Sequence, residues 1–150
     1  MIKSILRILP LLILAASTAF FIKDSPVLEA PLVEGIDLPL GTMLAWLCIT
    51  MLPLSILLGI RYIRKPISPV YRFYNRAFLL LTLLGMAWGA ISYLLAGNWT
   101  FTFANAKEFM GSEIAFELFL PYSSFVIAIT LLTFIIFGIH HLTIYQKQKK

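Results

Sequence analysis

The sequence predicts an all-α membrane protein: four transmembrane helices, both termini in the cytoplasm, and a short amphipathic helix in the second outer loop. Three observations carry that expectation. First, 60% of the 150 residues are hydrophobic and 13% charged, where soluble domains run near 45–50% and 25%. Mean hydropathy is +0.90. A chain this short buries only about two-thirds of its unfolded surface, so much of this apolar area must face lipid. Second, four stretches approach the ~20 apolar residues a spanning helix needs: residues 5–22, 40–60, 77–96 and 122–142. Third, the charges are sorted. Ten of the twelve basic residues lie before or at the start of the first stretch, between the second and third, or after the fourth. All seven acids lie in the other two loops, with Lys23 and Lys107. The positive-inside rule then places both termini and residues 61–76 in the cytoplasm, which agrees with an even number of spans. The length suits one membrane domain, residues 1–150.

The first stretch follows Lys3 and Arg7 and contains "AASTAF", which imitates a signal peptide with a small-residue cleavage site. The apolar run continues into Phe20, Phe21 and Ile22, so a retained helix is expected. Pro10 falls in its first turns, where proline is tolerated or kinks modestly. The first outer loop, "KDSPVLEAPLVEGIDLP", has three prolines and a glycine and should be extended or turn-rich. Pro53 should kink the second span, with Thr50 or Ser55 placed to satisfy the freed backbone groups. Cys48 lies in that span; as the only cysteine it forms no intrachain disulfide and reads as a small apolar side chain.

The segment "RYIRKPISPVYRFYNR" holds Arg61, Arg64, Lys65, Arg72 and Arg76 with four aromatics. It reads as a topology signal touching anionic headgroups, worth roughly 1 kcal/mol per basic residue near the surface. Nucleic-acid binding would need a basic face on a folded domain with aromatics placed to stack on bases. Ser68-Pro69 has the form of an N-cap followed by proline at the first helical position. A helix from Pro69 would reach 28 residues, about 42 Å, and would overhang or tilt. Within it Gly85 and Gly89 are four apart, spacing that lets another helix approach closely; Ala15 and Ala19 offer a similar stripe in the first span.

In the second outer loop, Asn105-Ala106-Lys107-Glu108 has capping-box form. Phe109, Met110, Ile114, Phe116, Leu118 and Phe119 follow, with Glu113 and Glu117 on one helical face. A short helix on the outer surface is expected. "EIAFELF" also alternates like a strand, but a lone strand has no visible partner. Glu108, Phe109, Glu113 and Glu117 are the candidate partner-binding positions of this loop. Asn98-Trp99-Thr100 matches a glycosylation sequon; Trp99 reads as an interfacial anchor.

Candidate chemistry is sparse. His140 and His141 are the only histidines. As helix neighbours they point about 100° apart, so they cannot both ligate one haem iron, and they read as interfacial polar residues. No acid or base lies mid-span, where ion and proton pathways place them. Small multidrug exchangers need a carboxylate in the first helix, and this one has none. Catalytic, cofactor and metal sites are therefore expected to be absent. The expected function is that of a non-catalytic accessory or scaffolding subunit of a larger membrane complex in a bacterial inner membrane. Its partners would be the lipid bilayer, other membrane subunits or further copies of itself, and no nucleic acid. The layout also resembles that of the four-span immunity proteins of pore-forming colicins, with cytoplasmic termini, a lysine-ended tail and unlike outer loops. That resemblance implies an alternative, protection against a pore-forming toxin. A second alternative is a small homo-oligomeric channel lined by hydroxyls such as Thr130 and Thr133.

Overall fold

The computed structural model describes residues 2–23, 26–33, 36–97 and 112–148. In chain order these form α1 (Ile2–Ile22), a 3-10 turn (Pro26–Glu29), β1 (Pro31–Val33), β2 (Ile36–Pro39), α2 (Leu40–Gly59), α3 (Arg61–Arg64), α4 (Pro69–Ala96) and α5 (Ser112–Gln148). By length and composition α2, α4 and α5 can each cross a membrane. The apolar part of α1, Arg7–Ile22, is shorter, about 24 Å. The long helices run antiparallel in succession. Arg7 of α1 therefore lies beside Gly59 of α2, and Tyr71 of α4 bonds His141 of α5. The basic segments thus gather at one end of the bundle, with the β1–β2 hairpin at the other.

The local signals of the sequence act as physical punctuation. Ser68 is extended at the N-cap of α4, its hydroxyl oxygen facing the Tyr71 N–H at 3.5 Å, with Pro69 at the first helical position. The helix runs 28 residues, so the span expected at 77–96 is preceded by two further turns. It ends at Gly97, whose φ of 73° is the left-handed cap a glycine supplies cheaply. The described part of the proline-rich segment between α1 and α2 is a 3-10 turn followed by two short strands, with no α-helix. Its two strands pair antiparallel, Pro31 with Pro39 and Val33 with Ile36, with an irregularity between.

The second outer loop differs from expectation. Its residues 98–111 lie outside the described chain. From Ser112 onward the backbone is helical without interruption to Gln148, so the helix of the span expected to begin at residue 122 begins ten residues earlier and takes in the described part of the short helix expected before it. Pro121 removes one backbone bond, to the Glu117 carbonyl, but the buried face runs straight across it. Ala115, Phe119, Val126, Thr130 and Phe137 are buried at helical spacing, and packing on α4 holds the two halves in line. The strand-like alternation of "EIAFELF" is helix.

The interior is no more apolar than the exterior. Among the described residues the buried polar side chains are all hydroxyls: Ser17, Thr42, Thr50, Thr82, Ser92, Ser123 and Thr130. Leu80, Leu83, Leu94, Leu132 and Ile139 are more than half exposed. Water would penalise that arrangement; lipid does not. Several hydroxyls donate to carbonyls of their own helix: Thr50 to Trp46, Thr82 to Phe78, Ser123 to Leu120 and Thr130 to Val126. Among the described residues no buried side-chain N or O lacks a hydrogen-bond partner. Along α4 the buried positions Tyr71, Tyr74, Phe78, Leu81, Gly85, Trp88 and Ser92 step by three and four, the repeat of left-handed helix packing.

Candidate functional site

Two constellations stand out, one along the α2–α4 seam and one at the basic end. In the seam, Gly85 meets the backbone of α2. A Cβ there would lie 2.9 Å from the Ile49 carbonyl oxygen and 2.9 Å from the Thr50 Cα. Pro53 has no N–H to give the Ile49 carbonyl, four residues back. Gly85, having no side chain, therefore lets α4 pack directly against the carbonyl that the proline leaves open. The hydroxyls expected to serve this kink go elsewhere, Thr50 to Trp46 and Ser55 to Leu52.

Gly89, one turn on, makes a slot for the Trp46 indole: a Cβ there would lie 2.7 Å from its Cη2. The indole N–H donates to the Gly85 carbonyl at 3.0 Å. From the opposite flank, the Tyr122 hydroxyl of α5 donates to the Leu84 carbonyl. Two adjacent carbonyls of α4 thus receive aromatic donors from two different helices. Trp88 completes the cluster, 5.1 Å from Phe119 and 5.4 Å from Tyr122 between ring centroids. The Gly85/Gly89 face is filled from within the chain, by α2, and is not a surface left for another protein. In α1 the small residues Ala15 and Ala19 are exposed; Pro10 and Ser17 are the buried ones.

At the basic end, Tyr71 and Tyr74 of α4 are buried against Phe137 of α5. The Tyr71 hydroxyl lies 2.9 Å from Nδ1 of His141; in the tautomer protonated on Nε2, tyrosine donates and Nδ1 accepts. His141 also stacks on Phe137, at 5.8 Å and 11° between planes, and lies 4.8 Å from Tyr62 of α3. His140 points elsewhere, meeting the Tyr74 ring edge-on at 6.2 Å. The two histidines therefore serve two separate aromatic contacts, as their 100° offset requires.

The basic loop is tied down at both sides. Arg64 donates to the Leu58 carbonyl at 2.8 Å, placing a cation on the last turn of α2, where the helix dipole favours it. Asn75 donates to the Ile63 carbonyl at 2.9 Å, and Ile63 itself is fully buried. Arg61, Lys65, Arg72 and Arg76 are exposed around this anchor. The arrangement is an exposed basic rim backed by the buried rings of Tyr71 and Tyr74.

The outer-loop candidates divide. Glu108 and Phe109 lie outside the described residues, as does the sequon at Asn98. Glu113 is in the first turn of α5; Glu117, one turn later, is exposed. Thr130 is fully buried with its hydroxyl returned to its own helix; Thr133 is half-buried. Among the described residues no three His, Cys, Asp or Glu side chains gather as a metal site would need.

Trp46, Tyr122 and the Tyr71–His141 pair were not singled out by sequence reasoning. A usable signal exists for the first two: a tryptophan and a tyrosine inside apolar spans must find acceptors for their N–H and O–H. No protein-family model matches the chain, and no curated protein or solved structure is significantly similar to it.

Proposed function

We propose that the protein is a four-span integral membrane protein, with both termini and the basic rim on the cytoplasmic side of a bacterial inner membrane. In this reading α1 is the fourth span, the stem of Arg7 carrying its charge from the start of the short apolar part to the headgroups. The protein works through helix contacts, as an accessory or scaffolding subunit of a larger membrane assembly, without chemistry of its own.

The observation that carries the contact reading is the unequal cover of the helices. In their most apolar stretches 39% of α2 and of α4 is buried, but only 17% of α5. The outward face of α5 presents Leu132, Ile135, Ile136 and Ile139, all substantially exposed, on a helix held rigidly from behind by Tyr122 and His141. A rigid, exposed apolar helix is a good docking element for a partner span, because little ordering cost remains.

The test is in-membrane photo-crosslinking from Leu132 and Ile136 of α5, with Leu83 of α4 as comparison. Discrete protein-sized adducts from the α5 positions and none from Leu83 are expected. Lipid adducts alone at all three positions would remove the docking role.

A further inference from the structure

Outside the two constellations, a groove is formed by described residues of α1, α2 and α5. It lies where α1 and α5 diverge over the last two turns of α2, and has a volume of about 480 Å³. That falls in the ~300–1,000 Å³ range of small-molecule sites. Its walls are Ile8 and Leu11 of α1, Ile56 and Ile60 of α2, and Phe134 of α5. Gly59 floors it: a Cβ there would meet nothing within 4 Å. Its one ionised group is Arg7, exposed at the basic end.

In the sequence no acid lies nearer to Arg7 than Asp24, and the seven acids occupy residues 24–37 and 108–117. Arg61 follows directly on Ile60 of the lining. Under the membrane placement proposed above, the site combines an apolar slot with an exposed guanidinium at headgroup depth. A guanidinium pairs bidentately with phosphate, and a slot one to two turns long takes the first methylenes of an acyl chain.

We infer that this groove binds one anionic glycerophospholipid, with an acyl chain between α1 and α5 and its phosphate on Arg7. The inference rests on the membrane placement proposed above but not on any partner at α5.

The test uses the full chain, extracted from the membrane fraction, delipidated in mild detergent and titrated with defined lipids under native mass spectrometry. Phosphatidylglycerol should give a saturable one-to-one adduct at about fivefold lower concentration than phosphatidylcholine of the same chains, the worth of one basic contact near a membrane surface. Arg7→Gln should abolish the preference while retaining an adduct. Gly59→Leu should fill the slot and remove the saturable adduct for both lipids. Arg72→Gln, on the far rim, should leave the wild-type pattern. Glycerol phosphate, which lacks acyl chains, should not compete.

Equal binding of the two lipids, a preference that survives Arg7→Gln, or an adduct that survives Gly59→Leu would each overturn the assignment. So would displacement by glycerol phosphate, or a dimer mass in place of the lipid adduct, which would seat a second copy in the groove. A chain absent from the membrane fraction would refute the membrane placement itself, a distinct outcome.

Discussion

Replacing Gly85 by alanine adds one methyl group where α4 meets the backbone of α2. That carbon would sit 2.9 Å from both the Ile49 oxygen and the Thr50 Cα, where ordinary contact begins at 3.4 Å. Both neighbours are backbone, so no side chain can rotate away. Helices α2 and α4 must part by about half an ångström or more. Such overpacking costs ~1–3 kcal/mol. The separation also weakens the bond from Trp46 to the Gly85 carbonyl, a loss of ~0.6 kcal/mol by the average for interhelical bonds in membranes. Alanine's better helix propensity returns ~1 kcal/mol. The net expectation is a loss of about 0.6–2.6 kcal/mol, or ~1–10 °C in Tm at ~2–4 °C per kcal/mol for a chain of this size. Cys48, the single thiol and half-buried on α2, supplies the readout through a thiol-reactive dye during a thermal ramp in detergent. Gly138→Ala is the control, because nothing lies within 4 Å of its Cβ position; it should be neutral or gain up to ~1 kcal/mol. A Gly85→Ala protein as stable as wild type, or as stable as Gly138→Ala, would refute the close α2–α4 contact.

Three further outcomes follow from the same geometry. Trp46→Phe and Tyr122→Phe each remove one aromatic donor to α4 and should lower stability by ~0.6 kcal/mol, at most ~1.7; because their acceptors are adjacent carbonyls, the double variant should depart from additivity in the same thermal assay. Tyr71→Phe removes the hydroxyl facing His141 and should cost ~0.5–1.5 kcal/mol, with faster tryptic cleavage after Arg61 and Arg64 as α3 loosens; unchanged proteolysis would show that the pair does not hold the loop. Replacing the exposed Arg61, Lys65, Arg72 and Arg76 together by glutamine erases most of the central basic loop, so a C-terminal topology reporter should divide between the two sides of the membrane; a reporter that stays on one side would contradict the topological role of this loop.

The helix ends were the most legible part of the fold, because they are set by residues with special backbone chemistry. Ser68-Pro69 marks the start of α4 by cap and fixed φ, and the segment with three prolines between α1 and α2 shows only a 3-10 turn and short strands in its described part. Pro121 misled for the same reason: proline reads as a boundary, yet a single lost backbone bond is outweighed when the buried stripe from Ala115 to Phe137 continues across it. Contact faces were harder to read. In a soluble helix the apolar stripe names the buried side; here nearly every residue of the spans is apolar on both faces, so composition does not tell buried Phe78 from exposed Phe125. Gly85 and Gly89 therefore announced close approach, but not that the neighbour is α2 of the same chain. The pairing of Gly85 with the carbonyl opened by Pro53 joins residues far apart in sequence, and no local pattern encodes it. His141 carries no sign of Tyr71 in its own neighbourhood; the pair arises only once α4 and α5 lie antiparallel.

The central claim is that this chain works as a non-catalytic subunit docked to other membrane proteins. The measurement that meets it most directly is purification of the native protein in mild detergent, followed by mass determination of the intact particle and identification of everything that co-elutes. The account predicts a stoichiometric complex with at least one other membrane protein, lost when bulky polar residues replace Leu132 and Ile136 on α5. A particle containing this chain alone, as monomer or homo-oligomer and unchanged by those substitutions, would contradict it.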